Sequence, residues 1–376
     1  MIKNHKSPKF CTRCVVSDQR PRITFDENGV CNACKYWERK DNYINWANRE
    51  EELNNLLDRH RREDGRFDVI VPSSGGKDSA YVAHTLKYEY GMNPLTVTWA
   101  PHLYTEVGWK NFQSLIDSGL SNILGTPDRK IHRKMTKICT EEMGDPFQPF
   151  IYGQVWFPVQ AALSYNVPLI FDGENGEAEY GGDSASENLN GFNVEETTQY
   201  WFSGHPVDYW YNHGFTKKDL YMYMPPEQEK IEELNLERHF FSYYKNWRPQ
   251  NNYYYASENT GFIANPEGRS EGTFSKYASL DDRIDPFHFY FGLLKFGLGR
   301  ATSDAAHEIR EGLIDRNEAI SLVRKFDQEF PIKSFKTFLD YCEITEDEFR
   351  VIEDKWRNKD LWYKDGDNWL LKYQVS

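Results

Sequence analysis

The chain has 376 residues, with 45 Lys plus Arg against 58 Asp plus Glu and a formal charge of -13 at pH 7. That length supplies material for two or three domains and an ample core, and the sign of the charge argues against a nucleic-acid backbone as the main partner. The opening "MIKNHKSPKF" lacks the apolar stretch of a secretory leader, so a cytoplasmic protein is expected.

Residues 1–64 form the first region. Cys11 and Cys14 in "CTRC", and Cys31 and Cys34 in "CNAC", stand sixteen residues apart. This is the arrangement of two knuckles that each give a thiolate pair to one tetrahedral zinc. In a reducing compartment such clustering favours metal over disulfide. An Asn28-Gly29 turn lets a short hairpin return the second pair to the first. Four sulfur ligands leave no open position, so the zinc is expected to be structural; an iron–sulfur cluster on the same ligands is the alternative. Cys139 and Cys342 are isolated and read as small core residues. The stretch "NREEELNNLLDRHRRE" places Leu53, Leu56 and Leu57 on one face of a surface helix.

Residues 65–199 alternate as a parallel α/β sheet does. "FDVIV" (67–71), "PLTVTW" (94–99), "SNILG" and "VPLIF" (167–171) read as strands, and "DSAYVAHTLKYEY", "NFQSLIDSG" and "RKIHRKMTKICTEE" as helices. The uncharged run 146–171 carries four prolines, Gln148, Gln154, Gln160 and Asn166, which suits a buried helix and strand better than a membrane span. Pro158 suggests a helix that starts or kinks there.

Residues 200–376 are expected to be an aromatic-rich, mostly helical substrate or partner region. Residues 200–255 hold 17 aromatics without a clean period; core packing is the bland reading of each ring, stacking on a uracil or sugar face the functional one. Asp285-Pro286 reads as an N-cap followed by an N1 proline, and Asp315 with Glu318 and Thr345 with Glu348 have capping-box spacing.

The segment "VIVPSSGGKDSAYVAHTL" (69–86) runs from a strand through a glycine pair into a helix, which gathers backbone N–H groups and a helix N-terminus into an anion site. A Walker A loop needs G-x-x-x-x-G-K-S/T; here the first glycine is missing and Asp78 follows the lysine. Ser73 to Ser79, "SSGGKDS", instead resembles the S-G-G-x-D-S loop of the PP-loop ATP pyrophosphatase superfamily, whose members cleave ATP between the α and β phosphates. The resemblance implies a HUP-like (adenine nucleotide alpha hydrolase-like) domain with ATP and Mg2+ as cofactors. Within the loop Ser74 and Ser79 can donate hydroxyls, Gly75 and Gly76 admit the backbone to pyrophosphate, Lys77 neutralises it, and Asp78 can hold magnesium. It further implies that "TVTWA", with Thr98 and Trp99, borders the adenine. The loop "FDGENGEAEYGGD" (171–183), with Gly173, Asn175 and Glu177, would close over the nucleotide; its Asp172, Glu174, Glu177 and Glu179 are candidates for metal, substrate or ammonia. Lys77, Asp78 and Glu177 are the expected catalytic residues.

The cysteine quartet, this loop, "GENGEAEYGG" and residues 275–320 together resemble the bacterial N-acetyl sugar amidotransferases (WbpG/PseA-like) of lipopolysaccharide O-antigen and flagellin-glycan synthesis. That family converts an acetamido group of a UDP-linked N-acetyl sugar to an acetamidino group through an adenylated imidate, releasing AMP and pyrophosphate. It implies ammonia from a separate glutaminase plus a barrel-shaped, imidazole-glycerol-phosphate-synthase-like partner. Arg269, Lys276, Arg283 and Arg300 are the cations considered for the nucleotide diphosphate or a uronic carboxylate. The rival enzyme is a tRNA sulfur transferase of the same superfamily, which needs cysteines near the nucleotide and a basic surface. A zinc-knuckle scaffold with a degenerate loop is the non-enzymatic rival.

Overall fold

The computed structural model describes residues 7–191 and 201–376. Residues 1–6, which open the stretch read as free of a leader, and the expected boundary at 199–200 lie outside them.

The knuckle contains two short antiparallel bridges, Phe10 with Ser17 and Phe25 with Cys31. The second closes the expected turn: the Asp26 carboxylate accepts from the N–H groups of Asn28 (3.0 Å) and Val30 (2.8 Å), and Gly29 takes φ +73°. Two helices follow, α1 (Asn32–Asn42) and α2 (Trp46–His60), the latter burying Leu53, Leu56 and Leu57 as the spacing predicts.

The sheet is built from β1 (Val69–Pro72), β2 (Pro94–Trp99), β3 (Ser121–Gly125), β4 (Leu169–Asp172) and β5 (Glu237–Phe240), in the order β3-β2-β1-β4-β5. Every neighbouring pair is parallel. Between strands run α3 (Lys77–Tyr88), α4 (Glu106–Asp117), α5 (Arg129–Glu142) and α6 (Gln148–Tyr165), and α7 (Gly176–Tyr180) follows β4. Helices cover both faces, so β1 is a continuous apolar run rather than an alternating one. Its residues still divide by parity: Ile70 packs with Val97, Trp99 and Val159, whereas Val69 and Val71 pack with Leu57, Ala83 and Phe171.

The chain leaves β1 for β2 and β3, then returns to place β4 on the other side of β1. The loops after β1 and β4 therefore diverge at the carboxyl edge and open a crevice between them.

Four departures from the sequence reading have physical causes. β5, "ERHF", lies inside the aromatic-rich stretch; it is an edge strand whose Glu237 is bonded to His60 (3.0 Å) and Arg59 (3.2 Å), so its charges are paired, not buried in a core. α6 starts at Gln148 with Pro149 in its first turn, and Pro158 lies within it. Asp285 is the first residue of the helix Asp285–Phe296, capped by Ile284, so its carboxylate is not spent on a cap. The C-terminal region also closes with an antiparallel hairpin, β6 (Trp362–Asp365) and β7 (Asn368–Leu371). The other start signals behave as read: Asp315 accepts from Glu318 N–H (2.8 Å), and Thr345 with Glu348 forms a complete capping box. The aromatic block is largely core, with Phe202, Trp210, Tyr223, Phe241 and Trp247 all buried. Among the described residues no helix is long and apolar enough to cross a membrane.

The knuckle grips the loop after β4. Lys40 on α1 and Glu179 on α7 are both 0% exposed, and the ammonium reaches each carboxylate oxygen at 2.9 Å while lying 3.8 Å from the Trp37 ring centre. Arg20 donates to Gly181 O (2.7 Å) and Asn32 to Gly182 O (3.0 Å). Removing one member of such a buried pair strands the other charge. Lys40→Ala is therefore expected to cost about 3–5 kcal/mol, with the double change Lys40→Met, Glu179→Leu recovering most of it; urea unfolding midpoints of the three proteins measure this.

Candidate functional site

The crevice holds a cavity of about 330 Å³. Its floor is the turn after β1, where Ser73, Ser74, Gly76, Asp78 and Ser79 face the cavity. Gly75 has φ +88°, and a Cβ there would lie 2.7 Å from the Phe112 backbone, so both the dihedral and the close approach to α4 demand glycine. Gly76 N-caps α3 without a side chain in the way, leaving the helix N-terminus open to an anion. Ser73 donates its hydroxyl to Ser79 Oγ (2.9 Å), and Ser79 in turn donates to Gly76 O (3.2 Å), which fixes the turn.

From β2 the alternation of the strand sends Val97 and Trp99 to the cavity. Thr98 points the other way: its hydroxyl donates to Ser73 O and accepts from Asn122 Nδ2 (2.8 Å). It supports the loop from behind. Trp99 lies flat under Gly153 of α6, where a Cβ would meet the indole at 1.9 Å, and its indole N–H has no partner. Phe147, Phe150, Gln154 and Pro158 complete the α6 side, and Gly173 and Glu174 the wall after β4.

The remaining wall comes from the C-terminal region: Ser279, Asp281, Asp285 and Arg300. Sequence reasoning left out both aspartates, because nothing local in "SLDDRIDP" distinguishes a cleft acid from a turn or a cap. Burial, followed by repulsion from Asp78, pushes the Glu174 carboxyl up to about 7. Burial and the neighbouring Asp285 and Asp282 push Asp281 up to about 7 as well. Asp78 accepts from Asn252 Nδ2 (2.9 Å) and is paired with Lys77, whose ammonium lies 4.9 Å from the Tyr277 ring centre.

Several expected site residues are engaged elsewhere. Glu177 does not line the cavity; its carboxylate is paired with Arg22 and accepts from Asp183 N–H (2.6 Å), tying α7 to the knuckle. Glu174, not Glu177, is the loop's cavity-facing glutamate. Asn175 is a buried cap, accepting from the N–H groups of Glu177 and Ala178 and donating to Ser186 O (2.8 Å). Arg269 is forked onto Glu329 (2.7 and 2.8 Å), Lys276 sits over the Tyr253 ring, and Arg283 donates to Tyr104 O. Of the four cations Arg300 alone is in the cavity wall, paired with Asp304 at 3.1 Å.

The four cysteine sulfurs are buried and lie within 4.8 Å of one another. Two of the separations, 4.0 Å for Cys11–Cys34 and 3.7 Å for Cys14–Cys31, match the edge of a tetrahedron with bonds of about 2.3 Å. The Cys11 sulfur accepts from the N–H groups of Arg13, Cys14 and Cys31 (3.3–3.4 Å), and Arg310 points at Cys14 Sγ. Such donors suit thiolates on a metal ion. Cys139 and Cys342 are buried in apolar clusters, and no cysteine faces the cavity.

Residues 271–375 match the family model described as LPS biosynthesis protein WbpG-like, C-terminal domain; Ser279, Asp281, Asp285 and Arg300 fall within it. No curated protein matches the chain. Solved structures similar to it include the NMN synthetase of Francisella tularensis (12% identity, 51% of this chain and 92% of that one, TM-score 0.29). The NH3-dependent NAD synthetase of Campylobacter jejuni compares alike (14% identity, 51% and 92%, TM-score 0.29). The U34-tRNA thiolase NcsA of Methanococcus maripaludis, with its iron–sulfur cluster, is 13% identical over 85% of this chain and 87% of that one, with a TM-score of 0.34. At these scores the fold rests on the strand order and loop geometry given above.

Gly75→Ala places a Cβ into the Phe112 backbone at a positive φ. Strain of about 1–3 kcal/mol is expected to weaken binding of a phosphate anion at this turn about tenfold or more, read by calorimetry with pyrophosphate as the ligand.

Proposed function

We propose, for a chain that carries a WbpG-like domain over residues 271–375, that the cleft is the active site of an ATP-dependent, AMP-forming amidotransferase. Its acceptor is the acetamido group of a UDP-linked N-acetyl sugar, and its product an acetamidino sugar for lipopolysaccharide O-antigen or another surface glycan, made in the cytoplasm. The observation that carries this reading is that the WbpG-like domain walls the same cavity into which the "SSGGKDS" loop opens.

An amide oxygen leaves poorly and an amide carbon resists ammonia. Attack of the acetamido oxygen on the α-phosphorus breaks the bond to pyrophosphate and makes AMP a good leaving group. Ammonia then adds to the carbon, AMP departs, and an amidine remains. The loop's share is to hold pyrophosphate: open N–H groups at the α3 N-terminus, the Ser74 hydroxyl, and the Lys77 ammonium, whose flexible stem lets it turn from Asp78 to an incoming anion. Trp99 contributes apolar wall on the nucleotide side. Arg300 is the cation that this cavity offers to the diphosphate of the acceptor.

Asp78 and Glu174 fit magnesium, since both are cavity carboxylates and Glu174 is raised by burial and by the neighbouring Asp78 charge. Bound there, magnesium would neutralise triphosphate oxygens. The quartet's sulfur spacing fits a single tetrahedral ion, and zinc is the assignment. Ammonia is supplied by a separate glutaminase with its barrel-shaped partner. A sulfur-transferase reading would ask for a cysteine in the cleft, where the described residues place none.

With ATP, magnesium, ammonium and a UDP-linked diacetamido sugar, the purified protein is expected to release AMP and pyrophosphate and to yield a sugar lighter by one mass unit. Release of ADP, or AMP formed with tRNA and a sulfur donor alone, would refute the reading. Lys77→Ala should abolish AMP formation while metal analysis still finds about one zinc per chain; iron with a visible charge-transfer band in place of zinc would refute the metal assignment.

A further inference from the structure

Four carboxylates face the cavity, and three of them have work or partners already. Asp78 is paired with Lys77, and Glu174 faces Asp78. Asp285 accepts from Ser279 and has His288 and Arg300 as its facing cations. Asp281 differs: the groups acting on it are the carboxylates of Asp285 and Asp282, its own backbone N–H and the Ser74 hydroxyl, both of which donate to it, with no cation among them. Tyr104, from the segment packed behind it, adds a neutral phenol.

The segment that presents Asp281 is held unusually firmly. Thr105 N–H donates to Asp281 O (3.1 Å), Arg283 N–H to Leu103 O (2.9 Å), and Tyr104 bridges Asp282 in antiparallel fashion. The buried Asp282 carboxylate accepts from His102 N–H (2.7 Å), His102 Nδ1 (2.6 Å) and Ile284 N–H (2.9 Å). Gly108 of α4 leaves no slack, since a Cβ there would lie 2.4 Å from Asp281 Cα. Asp282 is thus the anchor, and its neighbour is turned to the cavity beside the pyrophosphate loop.

We propose that Asp281 is the catalytic base of the amination half-reaction: it takes the proton released when ammonia adds to the adenylated acetamido carbon. This inference rests on the amidotransferase reading. The ammonia lone pair forms the new C–N bond as the C=N pair of the protonated imidate moves onto the sugar nitrogen. The ammonium group so formed gives one proton to the Asp281 carboxylate. The C–O bond to AMP then breaks, its electron pair leaving with AMP, while a nitrogen lone pair restores C=N in the amidinium; the Asp281 proton passes to solvent. A carboxylate clamped by a cation would be too weak a base for this step. Its burial among acids, which raises its affinity for a proton to the neutral range, suits it.

The test compares wild type with Asp281→Asn and Asp281→Glu. Asp281→Asn should lower ammonium-dependent turnover about 100-fold or more, and erase the acid limb near pH 7 of the wild-type kcat profile. Sugar-dependent exchange of pyrophosphate into ATP, which reports adenylation without ammonia, should stay within a few-fold. Hydroxylamine should restore turnover in Asp281→Asn, because its adduct is acidic enough to lose a proton to water, and Asp281→Glu should keep part of the limb. Folding is controlled by the sign of the shift: an acid raised in the folded state destabilises it as pH rises from about 4 to about 7. Asp281→Asn should therefore melt no lower than wild type at pH 8, with any gain vanishing near pH 4. Unchanged ammonium turnover in Asp281→Asn would overturn the inference, as would loss of pyrophosphate exchange together with hydroxylamine turnover. Absence of AMP from wild type with any acetamido sugar would instead remove the amidotransferase reading, and this inference with it.

Discussion

Lys40 and Glu179 have no water to solvate them, so each charge is tolerable only against the other. One sits on α1, just after the cysteine knuckle, and the other on α7, five residues past Glu174 of the cleft. Satisfying the pair obliges the knuckle to lie against the loop after β4, and the weaker contacts of Arg20, Arg22 and Asn32 then fall into place around it. The position of Gly173 and Glu174 in the cavity wall is thereby set by a part of the chain more than a hundred residues earlier in the sequence. The same loop would have no reason to stand still on a bare sheet edge.

The cavity concentrates acid in a protein that is already acidic. Four carboxylates around one cavity repel one another, and burial together with that repulsion raises Glu174 and Asp281. The arrangement destabilises the fold relative to amides at the same positions, which is the usual mark of residues kept for chemistry. Net charge alone, read from the sequence, pointed away from nucleic acid; the placement of the acids says what the charge is concentrated around.

How far the sequence carried the reading depended on whether a feature is local. The loop at 73–79 is legible because a strand, two glycines and a helix start are adjacent in sequence, and its function depends on that adjacency. The strands β1, β2 and β4 are legible because burial on both faces makes them apolar runs, and the quartet because thiolates at knuckle spacing have few other uses. β5 is hidden because an edge strand tolerates Glu237 and Arg238. Glu177 and Asn175 looked like site residues by proximity to glycines, yet each is consumed by holding α7 in place. Arg269, Lys276 and Arg283 could not be told from Arg300 by composition; their partners, Glu329, the Tyr253 ring and Tyr104 O, are all tertiary. Asp281 was invisible for the converse reason: a β-bridge between segments far apart in sequence turns it inward.

The helix Arg300–Glu311 begins in the cavity wall with Arg300 and ends where Arg310 reaches Cys14. Twelve residues of helix span about 18 Å, so the wall that Arg300 completes and the quartet that Arg310 touches are carried on one rod. Displacing the knuckle would displace that wall with it.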